Sequence, residues 1–250
     1  VSADFDVVIP ARLGSTRLPG KVLADIGGRP LIAHVHDRAL EAGARSVVIA
    51  ADNERVVEAC RAFGADVQLT SPMHHSGTDR VHEVAAARGW SDDRRIVNLQ
   101  GDEPMMPPEV VAACARKLVE DPEAAISTCA HALSDADAFA SPSVVKVVCD
   151  ARDRALYFSR ARIPYPRDAQ GAGCPEGALR HIGVYGYRVA ALRRFASLQP
   201  GSLEALESLE QLRALEHGMA IAVARVVAAP GRGVDTEADL EAVRALLADG

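Results

Sequence analysis

Aromatic residues are scarce: one Trp, four Tyr and five Phe in 250 residues, 4% of the chain. That scarcity excludes the stacked-base platforms on which single-stranded nucleic acid is held. A surplus of positive charge is lacking too, because 34 acidic residues outnumber 28 basic ones for a formal net charge of -6. Surfaces that track a phosphate backbone need such a surplus to displace counterions, so no nucleic-acid partner is expected. The five cysteines, Cys60, Cys114, Cys129, Cys149 and Cys174, contain no C-x-x-C pair. Read as reduced thiols, they predict a cytoplasmic protein. No apolar run is long enough to span a bilayer, and no charged-then-apolar leader is seen, so no membrane insertion is expected. Two glycine fingerprints are also missing. The dinucleotide pattern G-x-G-x-x-G does not follow the first apolar run. Five residues separate Gly14 from Gly20 and Val22 follows Lys21, which removes the Walker loop.

What is present is a cationic loop after a buried strand. Asp6-Val7-Val8-Ile9-Pro10-Ala11 reads as a strand and opens into Arg12-Leu13-Gly14-Ser15-Thr16-Arg17-Leu18-Pro19-Gly20-Lys21. Such loops put backbone amides at the edge of an α/β sheet, and Arg12, Arg17 and Lys21 add full charges there. On an acidic chain this concentration points to a polyanion, a nucleoside triphosphate being the natural one. The bland alternative is a solvated loop whose cations serve solubility.

Periodicity supplies the frame. Strand patterns at 6–11, 46–50, 66–69 and 95–99 alternate with helical patterns at 30–42, 53–63 and 78–88, with a further helix at 108–120. Alternation of this kind predicts an α/β fold, a mainly parallel sheet flanked by helices. Strand-like segments at 124–131, 144–150 and 181–187 then follow with little helix between them, an antiparallel insertion. Residues 168–178 are glycine-rich and read as a mobile loop. A helix at 203–218, a strand at 219–227 and a helix at 236–247 close the chain. No repeat or linker divides it, so residues 1–250 are expected to form a single domain, with about 124–190 as the insertion.

Two carboxylates complete a candidate site. Asp102, in Gln100-Gly101-Asp102-Glu103-Pro104, directly follows the fourth strand and so lies at the carboxyl edge where α/β sheets bind ligands. Carboxylates there suit magnesium, though an Asp before Glu-Pro also shapes a turn. Asp235 precedes Thr236, whose spacing to Asp239 resembles a capping box. With Thr236 as the cap, the Asp235 side chain is free; alternatively Asp235 is itself the cap. Ser76-Gly77, ahead of the third helix, offers a hydroxyl and close backbone to a base or ribose. His74 and His75 lack a second pair at zinc spacing and read as solvated.

The ordered set IPAR (9–12), STRLPGK (15–21), SGTDR (76–80), NLQGDEP (98–104), VVKVV (144–148), ALYFSRARIP (155–164), RHIGVYGYR (180–188), LESLEQLR (206–213) and GVDTEADL (233–240) resembles the CMP-KDO synthetases, the 3-deoxy-manno-octulosonate cytidylyltransferases. The resemblance implies a Rossmann-like nucleotidyltransferase fold and a magnesium-dependent homodimer. The activity it implies is cytidylyl transfer from CTP to KDO for lipopolysaccharide synthesis. It implies that Arg12 and Lys21 grip the triphosphate with Arg17 nearby, and that Pro10, Ala11, Ser76, Gly77 and Gln100 surround the nucleotide or sugar. Asp102 and Asp235 would hold Mg2+. Gln100, Arg160, His181, Tyr185, Glu210 and Gln211 would form the sugar site, with Arg160 reaching the sugar carboxylate. The residues themselves say less. Arg pairs bidentately with carboxylates, and His181 and Tyr185 share a face if 181–187 is a strand. Glu210 and Gln211, off the Leu206, Leu209, Leu212 stripe, read equally well as solvent-exposed. The insertion is the expected dimer contact. Another acidic sugar, such as sialic acid or 8-amino-KDO, is the nearest rival substrate. A nucleotide-binding protein without catalysis is the rival from another class.

Overall fold

The computed structural model describes residues 4–15, 17–168, 170 and 173–248. In chain order the elements are β1 (Asp6–Ala11), a 3-10 turn (Lys21–Leu23), the small hairpin β2 (Asp25–Ile26) and β3 (Arg29–Pro30), α1 (Leu31–Glu41), β4 (Ser46–Ala51), α2 (Glu54–Ala62), β5 (Asp66–Leu69), α3 (Gly77–Ala87) and β6 (Arg95–Asn98). Then come α4 (Pro108–Glu120), β7 (Ile126–Ala132), α5 (Ala136–Ala140), β8 (Lys146–Cys149), β9 (Ala155–Ser159), β10 (Leu179–Arg188), α6 (Val189–Ala196), α7 (Ser202–Glu207), α8 (Gln211–Glu216), β11 (Ile221–Val226) and α9 (Glu237–Ala248).

The main sheet runs β11-β7-β10-β6-β1-β4-β5, with β8 paired to β10 and β9 beyond it. Every residue of β1 is buried, as expected of a central parallel strand covered on both faces. Strands β1, β4, β5 and β6 are mutually parallel, and β7 is parallel to β11, whereas β10 is antiparallel to β6, β7 and β8. One face packs on α1, α2, α4 and α9 through residues such as Ile32, Val56, Val111 and Leu240. The other packs on α3, α6 and α8 through Val81, Leu192 and Leu212. At the end of the sheet away from the candidate site, Asp6 is fully buried and takes hydrogen bonds from Ser46, Arg45 and Arg94.

Three expectations change. The antiparallel segment is woven into the main sheet, because β10 lies between β6 and β7; only β8 and β9 leave that path. The segment 189–196, given no element from its pattern, is helical, and 155–159, where the residues allow an edge strand, is a strand. The helix expected over 203–218 is interrupted: Ser208 adopts a left-handed conformation at φ 51°, dividing α7 from α8. The Leu206 side of the supposed stripe is 83% exposed, so burial does not enforce a continuous helix there. In the 168–178 loop, Ala169, Gly171 and Ala172 lie outside the described residues, while Cys174 and Ala178 pack against Leu133 and Phe139.

Candidate functional site

Elements that lie far apart in the chain meet at the carboxyl edge of β1 and β6. Gly20, at φ 72°, turns the cationic loop into the 3-10 turn and delivers the Lys21 side chain inward. Its ammonium donates to Asp102 Oδ2 at 2.6 Å, Asp235 Oδ1 at 3.0 Å and the Val234 carbonyl at 3.0 Å. Arg17 pairs with the other Asp235 oxygen at 3.0 Å. Thr236 and Asp239 form the reciprocal cap of α9, which leaves the Asp235 carboxylate to face Lys21. Burial alone would lower the Lys21 pKa, but Asp102 and then Asp235 outweigh it and hold it above the ordinary value. Lys21 therefore stays cationic at every physiological pH. Beside this cluster, burial first and then Asp102 and Asp235 push the Glu103 carboxyl up to about 7. Three carboxyl groups thus crowd one edge of the sheet, with Lys21 bonded to two of them.

A cavity of about 250 Å³ opens above the cluster, with Pro10, Arg12, Lys21, His74, Ser76, Gly77, Gln100 and Asp102 in its walls. Two of its walls come within van der Waals contact at Gly101, where an added Cβ would stand 2.6 Å from the Pro10 carbonyl. Gly101→Ala is accordingly expected to force β1 and the loop after β6 apart. The expected loss is about 1–3 kcal/mol in urea unfolding, together with weakened nucleotide binding by calorimetry.

The walls are fixed by short-range chemistry. Ser76 caps α3, its hydroxyl accepting from the Asp79 amide at 3.1 Å while Asp79 accepts from the Ser76 amide at 3.2 Å. Its hydroxyl thus serves the helix as well as the cavity. Ala11 is fully buried and presents backbone only, its carbonyl accepting from the Asp52 amide at 3.3 Å. His74 pairs with Glu83 at 2.5 Å, and Glu83 also accepts from the Ser71 amide at 2.9 Å, so the histidine braces the 71–76 loop. Among the described residues no cluster of three or more His, Cys, Asp or Glu is arranged to hold a metal.

Beneath the cavity, on the face covered by α3 and α8, lies a second polar group. Thr78 donates to Glu210 Oε2 at 2.8 Å, joining the helix that starts at Ser76 to the start of α8. His181 shares a hydrogen bond with Thr128 at 2.9 Å, and its ring lies 5.5 Å from that of Tyr185. The two rings therefore meet on one face, although β10 carries an irregularity between residues 182 and 185. Burial keeps the imidazole neutral, its pKa pushed down to about 3. Burial also raises the Glu210 carboxyl, against the hydrogen bonds of Thr78 and Ser76.

Two buried polar atoms here lack a hydrogen-bond partner, Asn98 Nδ2 and Gln211 Nε2, and Glu210 Oε1 has only the Arg213 guanidinium at 4.0 Å. An unpaired buried polar group costs about 1–3 kcal/mol, so such a group in a native fold calls for a ligand or water. Asn98, which pairs in register with Tyr185 and accepts from Gln100 at 3.4 Å, was not singled out from the sequence. Its position two residues before Gln100 places the two on one face and was the available signal. Arg160 stands apart from this group. Its guanidinium donates to the carbonyls of Pro142, Glu207 and Ser208.

A mainly parallel sheet with a cationic loop and paired acids at its carboxyl edge defines a nucleotide-handling α/β protein. A family model described as "Cytidylyltransferase" matches residues 7–221. The 3-deoxy-manno-octulosonate cytidylyltransferase of Halorhodospira halophila is 57% identical over 244 residues, covering 96% of this chain and 95% of its own. That of Methylococcus capsulatus is 51% identical over 247 residues, covering 97% and 96%. A solved CMP-2-keto-3-deoxy-manno-octonic acid synthetase, complexed with CTP, superposes with a TM-score of 0.90 at 47% identity over 98% of this chain and 99% of its own. A cytidylyltransferase from Leptospira borgpetersenii shares the fold at a TM-score of 0.62 and 16% identity, over 99% of this chain and 87% of its own. The chain belongs to the cytidylyltransferase family, within it to the 3-deoxy-manno-octulosonate cytidylyltransferases.

Proposed function

We propose that this chain transfers the cytidylyl group of CTP to the anomeric C2 hydroxyl of KDO, giving CMP-KDO and pyrophosphate for lipopolysaccharide synthesis. The observation that carries this reading is the meeting of Lys21 with Asp102 and Asp235, residues separated by 81 and 214 positions, at the wall of the cavity. The hydroxyl oxygen forms a bond to the α-phosphorus, the bond from that phosphorus to the β-phosphate bridging oxygen breaks, and the hydroxyl proton passes to solvent. Such transfers depend on positioning and charge neutralisation more than on covalent help from the protein. Arg12 and Lys21 neutralise charge on the triphosphate, with Arg17 close by through Asp235. Pro10, Ala11, Ser76, Gly77 and Gln100 shape the nucleotide cavity. Gln100, His181, Tyr185, Glu210 and Gln211 meet the sugar hydroxyls, and the buried Gln211 Nε2, which lacks a hydrogen-bond partner, supports that role.

Asp102 and Asp235 fit a magnesium ion. Their donor atoms are hard carboxylate oxygens converging on one cation, and magnesium is commonly held by one or two carboxylates plus substrate phosphates. When bound, magnesium lowers the pKa of a coordinated hydroxyl and screens phosphate charge. The exposed Leu156 and Tyr165 support a homodimer contact through the 124–190 segment. No described helix is long and apolar enough to cross a membrane, and a cytoplasmic place is the reading in keeping with five free cysteines.

The test is pyrophosphate release from CTP and KDO with and without magnesium, with sialic acid and 8-amino-KDO in parallel. Release that needs both KDO and magnesium is the expected result. Turnover of sialic acid in preference to KDO would move the substrate assignment, and no release with any acid sugar would end the catalytic reading.

A further inference from the structure

The break between α7 and α8 sets where Glu210 and Gln211 stand, and it is held in an unusual way. Helix α7 contributes no fully buried residue; Leu203 packs partly buried against the core and Glu204 pairs with Arg213 of α8 at 2.5 Å. Leu209 and Leu212 seat the start of α8 in the core, but the turn before it is held by polar contacts from the end of β9. Arg160 donates through Nε to the Glu207 carbonyl at 2.7 Å and through Nη2 to the Ser208 carbonyl at 3.3 Å. In return, the Glu207 carboxylate accepts from the Arg160 amide at 3.0 Å and from Ser159 Oγ at 2.5 Å. The strand end is itself fixed from within. The fully buried Lys146 side chain donates to the carbonyls of Arg160 at 2.6 Å, Val144 at 2.6 Å and Ser141 at 3.0 Å. Ser208 sits at φ 51°, ψ 50°, a conformation a non-glycine residue keeps only where its surroundings impose it.

The geometry points to Arg160 as a positioning residue: it fastens the Ser208 turn and thereby aims Glu210 and Gln211. Two of its guanidinium contacts go to the turn and the third goes to the Pro142 carbonyl at 2.9 Å. These contacts use three of the five guanidinium N–H donors and tie the strand end to the turn. The inference rests on the reading that Glu210 and Gln211 meet the acid sugar.

Two readouts on Arg160→Met test it, with Arg160→Lys as the substitute should the first not fold. Amide hydrogen exchange over 208–212 is expected to quicken by about tenfold while the central sheet is unchanged. Unchanged exchange there overturns the assignment. In kinetics, the KM for KDO is expected to rise by about tenfold with the KM for CTP held within about twofold. In a Glu210→Gln background the same substitution should add little, because the group it positions is already impaired. An equal factor in both backgrounds means a direct grip on the sugar and also overturns it. If Glu210→Gln alone leaves the KM for KDO unchanged, the sugar-site reading fails, and hydrogen exchange alone decides whether Arg160 fastens the turn.

Discussion

Replacing Lys21 with methionine is expected to lower pyrophosphate release by about a hundredfold or more, the cost of removing a positioned charge from a phosphoryl-type transfer. The loss should exceed that of a phosphate contact alone, because the same ammonium holds Asp102, Asp235 and the Val234 carbonyl together. Without it, Asp102 loses its cation and Asp235 keeps only Arg17, beside a Glu103 carboxyl already pushed up to about 7. Asp235→Asn removes a charge from the other side of the same contact and should likewise leave a folded protein with little turnover. Steady-state pyrophosphate release, with far-ultraviolet circular dichroism as the check on folding, measures both. Near-normal turnover in Asp235→Asn would remove the role given to that carboxylate.

Asp6 carries the largest expected effect on stability. It lies at the start of β1 with no exposed surface, bonded by Ser46, Arg45 and Arg94. Removing one member of a buried ion pair costs about 3–5 kcal/mol. Arg45 and Arg94 are 42% and 26% exposed and can turn to water, so about 3 kcal/mol is the fitting estimate for Asp6→Ala. That corresponds to a fall in Tm of roughly 10 °C. Burial by itself would raise the Asp6 pKa, but the hydrogen bonds of Arg94 and then Arg45 and Ser46 outweigh it and leave it below the ordinary carboxylate value. A carboxyl held low in the folded state stabilises above its unfolded pKa of about 3.9 and loses that contribution as pH falls through the folded value. The gap in stability between the native protein and Asp6→Ala should therefore be constant near neutral pH and narrow below about pH 4. Thermal melts from pH 7 to pH 3 measure it; a gap that stays unchanged to pH 3 would contradict the ion-pair account.

The parallel half of the sheet was legible because its signals are local. Val7 to Ile9 and Val47 to Ile49 are short apolar runs, Asn53 caps α2 through the Arg55 amide, and Thr236 caps α9 with Asp239. Position at the carboxyl edge also follows from order along the chain, which is why Lys21, Asp102 and Asp235 could be proposed as neighbours. The Ser208 break was not legible. Its cause lies in Arg160 and Glu207, contacts made across 47 positions, while Leu206, Leu209 and Leu212 keep the spacing of an uninterrupted helix. The same holds for the fully buried Lys146, whose partners are three backbone carbonyls that no pattern of residue types announces.

The place of β10 bears on how the chain reaches its fold. Its neighbours, β6 and β7, are separated by little more than α4 in sequence, yet they cannot be bridged until Leu179–Arg188 is inserted between them. During synthesis the first four parallel strands can collapse with their helices, but they do so with the β6 side unpaired until the ribosome has released the later segment. Long-range strand pairing of this kind slows folding and exposes an aggregation-prone margin in the meantime. The topology thus predicts that maturation waits on one late strand, and chaperone dependence should be sought in nascent chains that end before residue 179.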